Sequence, residues 1–284
     1  MLKQRIVTAL VLLAVLLPAL FYPSPVPFAA VTLLLIAAAS WEWGRLNGLG
    51  QRPSLASAGG CVALCAVSWF AGLLDRALPL LWSAAGAAWV LGGAWLLRGG
   101  VTGWSRIPRT VRLAAGLTAL WLTWLAMAQA RTTGINFLLS ILLLVWVADI
   151  SAYAAGRAFG LKFSKSKLAP AISPGKSWEG VWGGMTGVAV LAACWVIADT
   201  ALHASVPSLY TRLADRGWWL LLIAVLFLAA MSVVGDLVES MVKRSAGVKD
   251  SSGLLPGHGG VLDRVDALLP TLPLAMMLTS LSAG

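Results

Sequence analysis

Residues 218–266 read WWLLLIAVLFLAAMSVVGDLVESMVKRSAGVKDSSGLLPGHGGVLDRVD. The first half of this stretch, up to Met241, is long and apolar enough to cross a bilayer as a helix, which takes about 20 residues. Its character then reverses. Between Ser240 and Asp266, eight ionisable side chains, His258 included, share a glycine-rich segment, and a second apolar run starts at Val261. Charge held at the edge of hydrocarbon is costly, so residues of this kind mark a functional site. Acids, bases and glycines together suit phosphate and metal.

The rest of the chain is apolar in the same way. Of its 284 residues 59% are hydrophobic and 11% charged, with a mean hydropathy of +0.85, far from the composition of a soluble domain. An all-α polytopic integral membrane protein is predicted, with about nine spans near 6–22, 28–46, 57–74, 78–97, 113–130, 135–153, 181–198, 218–241 and 261–282. A membrane β-barrel would need short alternating strands, which these uniform runs exclude. The first run follows Lys3 and Arg5 and is read as a retained helix, because Tyr22-Pro23-Ser24-Pro25 is a poor signal-cleavage site. Cys61, Cys65 and Cys194 fall inside apolar runs and are read as packing residues.

Lys and Arg orient membrane proteins by remaining cytoplasmic. With the amino terminus inside, sixteen of the 21 Lys and Arg residues fall in inner segments; Arg76, Arg131, Arg212 and Arg216 fall outside, and Arg264 lies within the last span. This arrangement puts the charged segment on the cytoplasmic face. It also brings Glu42, Asp149, Glu179, Asp236, Glu239, Asp263 and Asp266 toward the inner side, where one cavity would serve them all. Intramembrane acids and glycines concentrate after residue 145. The chain is therefore divided into amino-terminal scaffold helices (1–134) and a carboxyl-terminal catalytic half (135–284) within one membrane domain.

Two constellations carry the chemistry. On the eighth span Asp236, Glu239, Ser240 and Lys243 recur at steps that align them on one helix face, and Asp263 and Asp266 repeat the pattern at the start of the ninth, flanking Arg264. Paired carboxylates without His or Cys partners favour a hard cation such as Mg²⁺ over zinc. Gly259 and Gly260 immediately precede a helix whose free N–H groups would receive phosphate, with His258 beside them as a donor or proton carrier. The second constellation comprises Asp149, Tyr153, Gly156 and Arg157, followed by Ser173-Pro174-Gly175-Lys176-Ser177-Trp178-Glu179-Gly180 and Gly183-Gly184. Its Pro-Gly-Lys-Ser core is not a Walker loop, since Ala169 stands where the earlier glycine is needed and no preceding strand is expected. Lys176 serves as a phosphate counter-charge, Ser177 as a donor or helix cap, and Gly183-Gly184 as a close-packing seam.

The pattern S-x-V-K-R-x4-K-D-x-S-x2-L-P-x-H-G-G-V-x-D-R-V-D over Ser240 to Asp266 resembles the signature of the phosphatidate cytidylyltransferases, or CDP-diacylglycerol synthases. Asp149 to Arg157 and Ile172 to Gly180 resemble that family's upstream motifs, so recognisable sequence covers the last half of the chain. The resemblance implies transfer of a cytidylyl group from CTP to phosphatidic acid in a membrane, with no nucleic acid as partner. It implies Asp236 and Asp263 as metal ligands for Mg²⁺, with K⁺ as a candidate second cation, and Glu239 and Asp266 as further contacts. Lys243, Arg244, Lys249, Arg264, His258 and Lys176 would hold phosphates. Ser240, Asp250, Gly259, Gly260, Asp149, Tyr153, Arg157, Ser173, Ser177 and Glu179 would complete the substrate site. A bacterial inner membrane, a cytoplasmic active site and a homodimer are further expectations. Two alternatives stand beside this one: a CTP-dependent transferase acting on another lipid phosphate, and an ion-coupled transporter.

Overall fold

The computed structural model describes residues 2–281 and is built almost wholly of helices. In chain order they are α1 (Leu2–Phe21), α2 (Val26–Leu46), α3 (Gln51–Phe70), α4 (Pro79–Ala87), α5 (Gly93–Arg106), α6 (Arg109–Thr133), α7 (Ile135–Phe159), α8 (Trp178–Ala201), α9 (Leu209–Ala214), α10 (Trp218–Ser245), α11 (Leu262–Val265) and α12 (Leu268–Leu281). A π-turn over Ala88–Gly92 fuses α4 and α5 into one span of 28 residues, and Gly100 (φ 60°, ψ −163°) breaks α5 near its end. Eight helices among the described residues are long and apolar enough to cross a membrane. Large apolar side chains such as Phe70, Leu80, Ile150 and Ile197 project outward, as hydrocarbon requires and water would penalise.

The ninth expected span is not one long helix: it divides into the short α11 and α12, and its last residue, Ser282, lies outside the described residues. Its hydrogen-bond ladder fails around Asp266 and Ala267, where Pro270 has no N–H to give to the Asp266 carbonyl; Pro273 likewise leaves the Leu269 carbonyl without its helical donor, but α12 runs on through it. Thr123 Oγ1 of the neighbouring helix approaches the Leu269 carbonyl at 3.4 Å while donating to the Ala119 carbonyl of its own helix at 2.7 Å. A break at this depth is tolerated because it is buried in protein.

A second departure from expectation lies just before α8. Residues Lys167–Ala169 (β1) and Ser173–Ser177 (β2) pair as a short antiparallel ribbon, where no strand was expected. The ribbon caps the end of the α7–α8 pair outside the apolar spans. Its strand β2 leads directly into α8, so Lys176 is held on a fixed backbone.

Two packing features position the site. Helix α8 lies so close to α7 that a Cβ on Gly183 would collide with Ala155 and one on Gly184 would come within 3.0 Å of the Ala148 carbonyl. Small residues let helix backbones approach without a hydrophobic driving force. The carboxyl-terminal helices also thread back into the amino-terminal ones: α12 packs on α4 and α6, α10 on α5, and α11 on α2. At the opposite end of the bundle Asp199 is buried but satisfied, accepting from Asn136 Nδ2 (2.9 Å), Ser208 N (2.9 Å) and Thr211 Oγ1 (2.6 Å). That cluster ties loops together and offers no open group.

Candidate active site

The last turns of α10 carry the first constellation on one face. Ser240 Oγ donates to Asp236 Oδ1 one turn back at 3.2 Å. Lys243, nearly buried, sits between two carboxylates, 2.5 Å from Glu239 Oε2 and 2.6 Å from Asp263 Oδ1. A buried ammonium with one partner lost would be strongly unfavourable, so this trio locks α10 to α11.

Asp263 is held from its other side as well. Its Oδ2 accepts from Gly260 N (2.7 Å) and Ser251 N (2.9 Å), with Ser251 Oγ also at 2.9 Å. The next two amides, Val261 N and Leu262 N, donate at 3.0 and 2.7 Å to Glu42, a fully buried acid of α2. The expectation that Gly259 and Gly260 open a phosphate cradle is therefore corrected. Protein carboxylates have taken those N–H groups, and α11 is only four residues long.

The second constellation surrounds a cavity of about 440 Å³ lined by Asp149, Tyr153, Arg157, Lys176, Ser177 and Asp236, among others. Lys176 Nζ lies 2.5 Å from Asp236 Oδ2, so the ribbon before α8 and the end of α10 meet in this ion pair. Asp149 and Asp266 are both near enough to Asp236 for their charges to repel it. The seven acids thus gather at one end of the bundle but do not share one cavity. Asp149, Asp236 and Asp266 crowd together; Glu239 and Asp263 share Lys243; Glu42 and Glu179 hold backbone.

Other candidate residues are placed differently from what their types suggest. Glu179 is buried, and its Oε1 accepts from Phe163 N, Ser164 N and Ser164 Oγ, so it orders the loop after α7. Ser177 caps α8 by accepting from Gly180 N at 3.2 Å. Arg157 donates to the Tyr153 hydroxyl at 3.1 Å. Arg264 is exposed and both its Nε and an Nη donate to the His258 carbonyl, while Arg244 donates to the carbonyls of Ile172 and Val248. The His258 imidazole keeps a buried Nδ1 with no partner among the described residues. Ser173 begins β2, and Lys249 and Asp250 are exposed on the turn after α10. Sequence reading did not anticipate the role of Ser251 and Ser252, nor the grip of Glu42 on this loop. The only signal was an acid embedded in the apolar run of α2.

Behind Glu239 lies a second, apolar chamber of about 530 Å³, between α2, α4, the π-turn, α5, α6 and α10, with Trp43, Trp89, Trp104, Leu122 and Val238 in its wall. Glu239 Oε1 and Trp104 Nε1 line it without hydrogen-bond partners among the described residues. A charged cavity and an apolar chamber thus flank the same end of α10.

No three His, Cys, Asp or Glu side chains converge on one point among the described residues. Mg²⁺ typically needs only one or two carboxylates plus substrate phosphate oxygens. Mutually repelling acids whose near counter-charges are lysine ammonium groups fit such an ion.

Fold and site together define a polytopic membrane protein with a phosphate-compatible charged pocket at one end of its bundle. The chain belongs to the cytidylyltransferase family, whose sequence model matches residues 3–282. It is similar to a phosphatidate cytidylyltransferase of Pseudomonas aeruginosa, 40% identical with 96% of this chain and 95% of the relative aligned. Proteins of the same name from Haemophilus influenzae (36% identical, 96% of each chain) and Brucella abortus (35%, 99% of this chain and 94% of the relative) match equally fully.

Proposed function

We propose that this protein transfers the cytidylyl group of CTP to phosphatidate, giving CDP-diacylglycerol and pyrophosphate. The observation that carries this reading is the Lys176–Asp236 ion pair. It joins two constellations, separated by some sixty positions of sequence, into one pocket at the membrane boundary. The full-length relatives carry the same activity in their names.

The lipid phosphate is ionised near neutral pH, so its oxygen attacks the α-phosphorus of CTP without a strong general base. A bond forms from that oxygen to the α-phosphorus, and the bond from the α-phosphorus to the bridging oxygen breaks, so pyrophosphate leaves with that oxygen. Lys176 and Lys243 each rest on a carboxylate and are poised to move their charge onto phosphate oxygens. Mg²⁺, with K⁺ as a candidate second cation, would be held by Asp236 and Asp263 with Glu239 or Asp266 in support, and would neutralise charge on the attacking and leaving oxygens. The apolar chamber behind Glu239 would take an acyl chain of the lipid. Basic residues gathered at the site's end of the bundle support a cytoplasmic active site, and bacterial relatives support the inner membrane.

The test supplies purified protein in lipid vesicles with CTP, Mg²⁺ and phosphatidate, and measures pyrophosphate and CDP-diacylglycerol in equal amounts. Folded protein that forms neither product overturns the reading. Faster turnover of a polyprenyl phosphate would replace the acceptor while keeping the chemistry.

A further inference from the structure

We propose that Glu42, in the amino-terminal half, is a positioning residue for the reaction, fixing the 251–262 segment so that Asp263 faces the site. Its role in the reaction rests on the function proposed above; its hold on the segment does not. An ionised carboxylate offers about four lone-pair sites. Four donors lie against those of Glu42: Ser252 Oγ (2.5 Å) and Val261 N (3.0 Å) at Oε1, and Leu262 N (2.7 Å) and Ser251 Oγ (3.2 Å) at Oε2. All four come from one segment lying more than 200 positions further along the chain.

The geometry points past simple loop anchoring. Three consecutive amides, of Gly260, Val261 and Leu262, are divided between two acids, the first going to Asp263 and the next two to Glu42. Ser251 Oγ lies between the same two acids, near both Asp263 Oδ2 and Glu42 Oε2, and its single proton can serve only one fully. Glu42 therefore orients the backbone immediately before Asp263. Asp263 Oδ2 is pinned to that backbone, which leaves Oδ1 turned toward Lys243. Gly260 is required here, because a Cβ would run into Ser251 Oγ and Glu42 Oε1. A buried carboxylate held on both oxygens by its own protein's backbone amides is engaged in structure rather than turned to a ligand, which separates its task from that of Asp236.

Glu42→Gln tests this. It keeps the shape but sets an amide NH₂ against backbone or hydroxyl donors. Hydrogen exchange without added metal should accelerate at Val261 and Leu262 by roughly tenfold or more, with the amides of Ser208 and Thr211 at the far end unchanged. In the transfer assay kcat should fall roughly tenfold or more while KM for CTP changes by less than about threefold. Ser252→Ala, which removes one hydrogen bond, should show both effects in smaller measure, and it carries the test alone if Glu42→Gln does not fold. Unchanged exchange at 261 and 262 overturns the proposal, as does faster exchange with undiminished kcat. Wild-type protein that exchanges slowly there but forms no product would instead overturn the reaction.

Discussion

Lys243 bears the most concentrated consequence of any single residue. Its ammonium, almost out of solvent, serves Glu239 and Asp263 at once. Lys243→Met would leave two buried carboxylates facing each other without a cation, a loss on the order of 3–5 kcal/mol by comparison with other broken buried pairs. Denaturation in detergent should show a clear fall in melting temperature; an unchanged value would mean that water already reaches the trio. Asp263→Asn tests the chemistry at some cost in stability, because its NH₂ would face the Lys243 ammonium. The amide oxygen still accepts from Gly260 and Ser251, and in the protein that folds turnover should drop on the order of a hundredfold. Near-normal turnover across a Mg²⁺ titration would remove Asp263 from the proposed ligand set. The alignment of Asp236, Glu239, Ser240 and Lys243 on one face was legible from spacing alone. The use made of the amides of Gly260, Val261 and Leu262 was not, because the acceptor that claims the last two lies in α2. No local pattern connects Glu42 to Val261.

At the scale of elements, most spans could be read from hydropathy because a helix in hydrocarbon must satisfy its backbone internally. The failures have physical causes too. The ninth run splits one turn before Pro270, which withholds its N–H, and the ribbon β1–β2 forms outside the apolar runs, where hydropathy carries no signal. The chamber between α5, α6 and α10 arises from helix packing around a π-turn, which a single chain does not advertise. Ala119 lines that chamber. Ala119→Trp would fill it, so KM for phosphatidate should rise several-fold while KM for CTP stays within about twofold. Equal kinetics for both substrates in this variant would place the acyl chains elsewhere.

For the whole molecule, the gradient of charge from one end to the other is the organising fact. Arg131 belongs to the sparsely basic end, where its guanidinium donates to the carbonyls of Leu20 and Tyr22 in the α1–α2 connection. In a variant without native cysteines, Ser205→Cys should react with an impermeant maleimide from outside intact cells, and Lys249→Cys only after the membrane is opened. The reverse pattern would invert the proposed orientation. The division at residue 134 is read in sequence from where acids and glycines begin to accumulate, yet α2 reaches across it to hold the carboxyl-terminal loop.

The two lysines that rest on Asp236 and Asp263 imply a thermodynamic linkage between ligands. A cation arriving alone must compete with an ammonium group already in contact with the carboxylate. A nucleotide arriving alone must draw that ammonium away and leave an acid uncompensated. In the proposed reaction the triphosphate would take the lysines and the carboxylates would take the cation, so each ligand would lower the cost of the other. In the resting protein each of those two carboxylates is meanwhile compensated by an ammonium group.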